Sequence, residues 1–126
     1  MAGIVLIEDN LQHRLYLRAV LEAHEFHVRP LPDGSWLLAA LEIEPADLII
    51  VDLYMPHMDG IEAVRAVRKK FPLVPIIGMS ETNMDDPSVR ALKRLGADVV
   101  VRKPLDEPTF VNLIRHLIPP QITKAA

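Results

Sequence analysis

Residues Leu48 to Gly60 read LIIVDLYMPHMDG and contain the most informative strand of the sequence. The first four of these residues are apolar, and such a run is typical of a strand buried on both faces of a parallel sheet. Asp52 follows directly, at the end of that strand. A carboxylate in this place is costly to desolvate unless a cation or a hydrogen-bond donor meets it. Asp52 is therefore the first candidate for a functional residue.

Short apolar runs alternate with longer amphipathic segments on both sides of this stretch. They predict strands at 3–7, 26–29, 47–51, 75–79 and 98–101, and helices at 11–24, 36–44, 60–70, 88–95 and 106–117. Pro30, Pro32 and the Asp33-Gly34 turn are expected to close the second strand. Gly96 is expected to cap the fourth helix in the αL conformation, and Trp36 to pack its helix against the sheet.

Five strand–helix units in series indicate an α/β fold with a parallel sheet covered on both faces. We expect the flavodoxin-like (βα)5 arrangement, a three-layer sandwich with strand order 2-1-3-4-5. The length of 126 residues fits a single domain, which we place at residues 1–118. Residues 119–126 begin with two prolines and are expected to form a tail or linker stub.

Composition narrows the classes of function. The chain has no cysteine, which excludes disulfides, thiolate zinc sites and cysteine nucleophiles. The formal net charge is -3, which argues against a direct nucleic-acid or anionic membrane partner. There is no secretory signal pattern and no apolar run near the ~20 residues that span a bilayer, so a cytoplasmic location is expected. The five histidines form no ligand pattern for a metal.

Polar residues follow four of the predicted strands. Open parallel sheets place their sites beyond the carboxyl ends of the strands, so these side chains should converge on one shallow pocket. Three close carboxylates repel one another unless a cation intervenes, and a few carboxylate oxygens plus waters suit Mg²⁺. The residues concerned are Glu8, Asp9, Asp52, Ser80 and Lys103.

Two of these residues are not needed to hold Mg²⁺. The ammonium of Lys103 and the hydroxyl of Ser80 could instead bind the oxygens of a phosphoryl group. Asp52 then has the character of a carboxylate nucleophile for phosphoryl transfer. Each residue alone could be structural, as a helix cap, a solvated turn or a loop, but their joint occurrence at successive strand ends favours a site.

In these residues the chain resembles the CheY-like receiver domains of bacterial two-component response regulators. The matching features are the acidic pair Glu8-Asp9, the phosphoacceptor Asp52, the hydroxyl residue Ser80 and the Lys103-Pro104 dipeptide. The turn Met55-Pro56-His57-Met58-Asp59-Gly60 also matches. The resemblance covers about residues 3 to 118.

The resemblance implies a metal site and a phosphoryl donor. Asp9 and Asp52 would bind Mg²⁺ directly, together with the backbone carbonyl of Tyr54, while Glu8 would act through water. The phosphohistidine of a sensor histidine kinase or phosphotransfer protein would donate its phosphoryl group to Asp52. The chain would be a signalling switch rather than an enzyme, with at most Mg²⁺-dependent self-phosphorylation and autodephosphorylation.

The resemblance also assigns the remaining residues and surfaces. Ser80 and Lys103 would bind the phosphoryl oxygens, and the Lys103-Pro104 peptide bond would be cis. A downstream output domain or protein would bind through the fourth helix, the fifth strand and the last helix, where the basic run Arg90, Lys93 and Arg94 is either a solvated face or part of a partner surface. A homodimer is compatible with this family.

The chain departs from the family pattern at three positions. Val100 occupies the switch position, which usually holds Tyr or Phe, so coupling by rotation of an aromatic ring is excluded. Leu105 stands where an aromatic is common, and Glu81 stands where a small residue is usual. Tyr54 and Glu81 would flank the approach of water to the phosphoryl group, and we expect Tyr54 to slow its hydrolysis.

Three alternatives remain. A phosphatase of the haloacid dehalogenase type would need an acid two residues after Asp52, where Tyr54 stands. A flavin carrier would need a phosphate-binding loop after the first strand, where Glu8-Asp9 would repel phosphate. A pseudo-receiver, which keeps the fold and binds partners without phosphorylation, is favoured by Val100 and Glu81 and opposed by the intact acidic residues, Ser80 and Lys103.

Overall fold

The protein is known from a computed structural model that describes residues 1–53 and 60–118. Its strands are β1 (Gly3–Ile7), β2 (His27–Leu31), β3 (Leu48–Asp52), β4 (Ile76–Ser80) and β5 (Val99–Arg102). Its helices are α1 (Leu11–Ala23), α2 (Leu37–Ile43), α3 (Gly60–Lys70), α4 (Pro87–Leu95) and α5 (Glu107–Leu117), with a 3-10 turn at Gly34–Trp36. The predicted alternation of strands and helices is confirmed. No helix in the described part of the chain is long and apolar enough to cross a membrane.

The five strands form one parallel sheet in the order β2-β1-β3-β4-β5. This confirms the predicted flavodoxin-like topology. The central strand β3 is buried at all five positions, as its apolar sequence predicts. The strand order reverses direction between β1 and β3, and ligands of open α/β sheets bind at that point.

Alternating side chains of the strands feed two separate cores, one on each face of the sheet. On one face, Leu17 and Leu21 of α1 and Phe110 and Ile114 of α5 pack on the sheet. On the other face, α2, α3 and α4 contribute apolar side chains, among them Leu37, Leu41, Val64, Val67, Val89 and Leu92. The result is the three-layer sandwich expected from the sequence.

The end of the second strand differs from the prediction, because Pro30 does not close it. β2 runs from His27 to Leu31 and pairs only with β1. The amide of His27 donates to Ala2 (2.9 Å), and the carbonyl of Leu31 accepts from Glu8 (3.1 Å), so odd-numbered residues face β1. Pro30 faces the open edge, where its missing N–H costs no hydrogen bond.

The predicted packing of Trp36 against the sheet is wrong. Its side chain is 63% exposed, and it ends the 3-10 turn before α2. The buried positions of α2 are Leu37 and Leu41, which are four residues apart and share one face of the helix. Trp36 precedes that face and points into solvent.

The end of α4 follows the prediction in part. The helix ends at Leu95, and the amide of Gly96 donates to the carbonyls of Leu92 and Lys93. The φ of Gly96 is +136°, in the range that favours glycine but larger than the αL value that was expected.

Candidate functional site

The register of the sheet places the site residues at one edge. β1 pairs Ile7 with Val51, so Glu8 and Asp52 stand at the same level, where β1 has ended and β3 ends. β4 pairs Ser80 with Arg102, so Lys103 follows β5 one residue beyond that pair. The amide of Lys103 donates to the carbonyl of Ser80 at 2.8 Å, which fixes the start of the next loop.

The ammonium of Lys103 contacts both buried carboxylates of the site. Its Nζ is 3.0 Å from Oδ2 of Asp52 and 3.3 Å from Oε2 of Glu8. All three side chains are at most 8% exposed, so the charges interact with little screening by water. Such a buried arrangement is stable only if the charges offset one another.

Two of these buried groups, Glu8 and Lys103, have raised pKa values, for different reasons. Burial raises the pKa of Glu8 to about 7, helped by the hydrogen bond and the charge of Asp52, while Lys103 opposes the shift. Burial alone would lower the pKa of Lys103, but the hydrogen bonds and charges of Asp52 and Glu8 outweigh it and leave this pKa raised. Lys103 is therefore a permanent cation at this site.

The acidic cluster can hold a divalent cation. One carboxylate oxygen from each of Glu8, Asp9 and Asp52 lies within 4.8 Å of the others. Asp9 is exposed, whereas the other two are buried, so the cluster opens to solvent on the side of Asp9. An all-oxygen set with room for water fits Mg²⁺. Tyr54, whose carbonyl the resemblance adds to this set, lies outside the described residues.

These residues line a cavity of about 350 Å³. Its wall consists of Glu8, Asp9, Asn10, His13, Asp52, Glu81 and Lys103. Glu81 lies on its rim with an exposed side chain. Glu81 therefore adds a fourth acidic side chain to the wall of this cavity.

Ser80 ends β4 and is 2% exposed. Its Oγ lies 2.8 Å from Oγ1 of Thr82 and accepts a hydrogen bond from the Thr82 amide at 3.0 Å. Ser80 is thus linked to the loop that leads to α4. The Lys103-Pro104 peptide bond is cis, and Val100 is buried in the core beneath α4.

Two residues of α1 that no sequence motif indicates also contact the site. Nδ1 of His13 lies 3.3 Å from Nζ of Lys103, and the guanidinium of Arg14 donates to the carbonyl of Glu8 at 2.8 Å. Asn10 caps α1 by accepting from the amide of His13. The signal available in the sequence was this cap, which places residues 13 and 14 in the first turn beside Glu8-Asp9.

Comparison with known proteins agrees with this geometry. The chain matches the family described as the response regulator receiver domain over residues 4–115. It is 28% identical to the protein PilH of Pseudomonas aeruginosa over 94% of this chain and 98% of PilH. The structure of the chemotaxis protein CheY4 of Vibrio cholerae superposes with a TM-score of 0.86 at 26% identity, covering 94% of this chain and 99% of CheY4.

Other relatives are much longer proteins. The CAI-1 autoinducer sensor kinase/phosphatase CqsS of Vibrio cholerae is 30% identical over 88% of this chain, which spans 16% of the length of CqsS. The transcriptional regulatory protein ZraR of Klebsiella oxytoca is 30% identical over 82% of this chain, which spans 23% of ZraR. Members of this family are signalling regulators and not enzymes in the usual sense, and they bind Mg²⁺ at an acidic pocket. The chain belongs to the response regulator receiver domains of two-component systems.

Proposed function

We propose that the chain is a phosphorylation switch in which Asp52 accepts a phosphoryl group from a phosphohistidine. The donor would be a sensor histidine kinase or a phosphotransfer protein. The observation that carries the proposal is the buried contact of Asp52 with Lys103 at 3.0 Å, beside Glu8 and at the reversal point of the sheet. A nucleophilic carboxylate beside a fixed cation is what phosphoryl transfer requires.

In the proposed reaction a carboxylate oxygen of Asp52 attacks phosphorus in line with the leaving nitrogen of the donor. A phosphorus–oxygen bond forms, the phosphorus–nitrogen bond breaks, and its electron pair returns to the donor imidazole. Lys103 offsets the negative charge of the phosphoryl oxygens, and the hydroxyl of Ser80 donates a hydrogen bond to one of them. Positioning and charge stabilisation supply most of the catalysis in such transfers.

The carboxylates next to Asp52 would hold the metal that this transfer needs. Asp9 and Asp52 would bind Mg²⁺ directly and Glu8 through water, in keeping with their mutual approach within 4.8 Å. When bound, Mg²⁺ neutralises charge on the transferring phosphoryl group. Removing the metal should therefore abolish phosphorylation without unfolding the protein, because Lys103 already offsets two of the carboxylates.

The second candidate is a pseudo-receiver that binds partners without phosphorylation. Its support is the buried Val100, which provides no aromatic ring to rotate, and Glu81 on the pocket rim, whose charge would repel phosphate. The complete set of Glu8, Asp9 and Asp52 with Lys103 favours the phosphorylated switch. Burying Glu8, Asp52 and Lys103 together contributes little to stability, so their retention is better explained by the reaction.

We propose that the chain has one signalling partner upstream and another downstream. Upstream is a kinase or phosphotransfer protein; downstream is an output domain or protein that binds through α4, β5 and α5. Arg90, Lys93 and Arg94 are all exposed on α4, as such a surface requires. We further propose a cytoplasmic location, a receiver domain at residues 1–118 followed by a tail or linker, and no direct contact with nucleic acid or membrane.

The function is tested by incubation with acetyl phosphate and Mg²⁺ followed by intact mass measurement. We expect the wild type to gain one phosphoryl group and Asp52→Asn to gain none. Asp85→Asn, a change at an exposed loop aspartate, is the matched control and should react like the wild type. Absence of any gain in folded, Mg²⁺-loaded wild type would favour the pseudo-receiver.

A further inference from the structure

The ammonium of Lys103 has three acceptors, one for each of its N–H groups. Two are the carboxylates of Asp52 and Glu8, and the third is Nδ1 of His13 at 3.3 Å. The side chain of Lys103 is 8% exposed and that of His13 is 49% exposed. His13 thus covers Lys103 on the solvent side of the site.

The backbone holds His13 in this place. It is the third residue of α1, and its amide donates to the side chain of the capping residue Asn10 at 3.0 Å. The following residue, Arg14, anchors the same turn to the carbonyl of Glu8. The first turn of α1 is therefore tied to the acidic loop at both residues, and the imidazole is presented to Lys103 from a rigid element.

The chemistry of the contact determines the form of the imidazole. An ammonium can only donate, so Nδ1 of His13 must accept with its lone pair and the ring proton must be on Nε2. Glu8 does not compete for Nδ1, because the shortest distance between them is 3.8 Å, beyond a hydrogen bond. The close group of ligand atoms among the described residues comprises Glu8, Asp9 and Asp52 and does not include His13.

We propose that His13 is a positioning residue that holds the ammonium of Lys103 beside Asp52. Of the three acceptors, Asp52 is the proposed nucleophile and Glu8 is a proposed partner of Mg²⁺ through water. His13 is the acceptor that neither the reaction nor the metal would engage, so it can hold Lys103 before and after transfer. This role rests on the proposed phosphorylation of Asp52 for its purpose, but the contact itself can be measured without it.

The contact is tested first by nitrogen NMR of the imidazole in metal-free protein at about pH 8, where an ordinary imidazole is neutral. We expect the tautomer of His13 that carries its proton on Nε2, with an Nδ1 resonance that shifts in Lys103→Met. A ring protonated on Nδ1, or an Nδ1 chemical shift that is the same in the wild type and in Lys103→Met, would overturn the proposal. This result does not depend on whether Asp52 is phosphorylated.

The role is tested by the rate of phosphorylation with acetyl phosphate at saturating Mg²⁺. His13→Asn keeps an acceptor near the position of Nδ1, whereas His13→Leu removes it. We expect the rate to fall about threefold to tenfold in His13→Leu, the effect of losing one hydrogen bond of ordinary net strength while Lys103 keeps its two carboxylate partners, and to recover to within about twofold in His13→Asn. His27→Leu, at an exposed histidine on β2, should match the wild type.

An equal loss in His13→Leu and His13→Asn, or no loss in either, would refute the positioning role. If the wild type itself is not phosphorylated, the proposed function fails, and the tautomer measurement alone then decides whether His13 holds Lys103.

Discussion

Glu8 is the most deeply buried carboxylate of the acidic cluster, with 1% of its surface exposed. Its pKa is raised from 4.5 to about 7, first by burial and then by the hydrogen bond and charge of Asp52. Between pH 4.5 and about pH 7, Glu8 therefore keeps its proton in the folded protein but has released it in the unfolded chain. The contribution of Glu8 to stability is therefore complete below pH 4.5 and is lost as the pH rises to about 7.

We predict that the free energy of unfolding of the metal-free protein falls by roughly 1 to 3 kcal/mol more in the wild type than in Glu8→Gln over this pH window. The measurement is urea unfolding at a series of pH values with a chelator present. Glu22→Gln removes a carboxylate from an exposed ion pair with Arg18 and should leave the wild-type slope unchanged. Equal slopes for the wild type and Glu8→Gln would show that Glu8 is not the group responsible.

For the individual residues of the site, the sequence predicted which residue types stand at the strand ends but not which side chains contact one another. Asp52 and Lys103 could be selected because polar groups after apolar strands share one edge of a parallel sheet. The single contact of Lys103 with both buried carboxylates depends on side-chain conformations, which spacing does not determine. The role of His13 could not be predicted, because a single histidine on a helix forms no motif that indicates a functional site.

At Gly78 of β4, the side chain of Leu92 from α4 packs closely on the sheet, and the absence of a Cβ permits this approach. A Cβ added to Gly78 would lie 2.4 Å from Cδ2 of Leu92, a side chain of α4 that is completely buried. Because Leu92 is completely buried, its side chain would have to shift against other core residues to make room for that Cβ. The same helix begins at the loop after Ser80, and its packing is therefore part of the expected output path.

We predict that Gly78→Ala lowers the free energy of unfolding by about 1 to 3 kcal/mol through overpacking. Gly3→Ala is the matched control, because Gly3 also lies in a strand and its added Cβ would meet nothing closer than 3.8 Å. The control should change stability by no more than about 0.5 kcal/mol. Chemical denaturation compares the two, and similar losses would contradict the close packing of Leu92 on Gly78.

The elements also show where sequence patterns are insufficient. A proline usually ends a strand, but at Pro30 the absent N–H faces the open edge of β2, and edge status is a property of the whole sheet. Trp36 is expected from the sequence to pack its helix against the sheet, but the buried face of α2 is formed by Leu37 and Leu41. Both errors arise because tertiary context overrides local preference.

For the molecule as a whole, the signal must pass from the pocket to a distant surface without an aromatic switch. Val100 is 7% exposed and packs in the core with α3 and α4, so it has no exposed state comparable to a rotating ring. Ser80, in contrast, is hydrogen-bonded to Thr82 in the loop that ends at Asp86, the cap of α4. Movement of Ser80 toward a phosphoryl group would break or strain this turn.

We predict that binding of beryllofluoride and Mg²⁺ shifts amide NMR signals more strongly over residues 81–90 than at Val100. The reason is that the hydroxyl of Ser80 is linked to that loop, whereas Val100 is held in the core. Asp52→Asn under the same conditions provides the baseline. Shift changes centred on Val100, with no change over residues 81–90, would contradict coupling through this loop.

The role of Asp52 as phosphoacceptor is tested by locating the phosphoryl group in the sequence. The protein is phosphorylated with acetyl phosphate and Mg²⁺, the acyl phosphate is reduced with borohydride, and the peptides are sequenced by mass spectrometry. Reduction converts a phosphorylated aspartate into homoserine. We predict homoserine at position 52 in the treated wild type and at no other position. Homoserine at position 9 or elsewhere, or none in folded protein with Mg²⁺ present, would contradict the assignment of Asp52 as the phosphoacceptor.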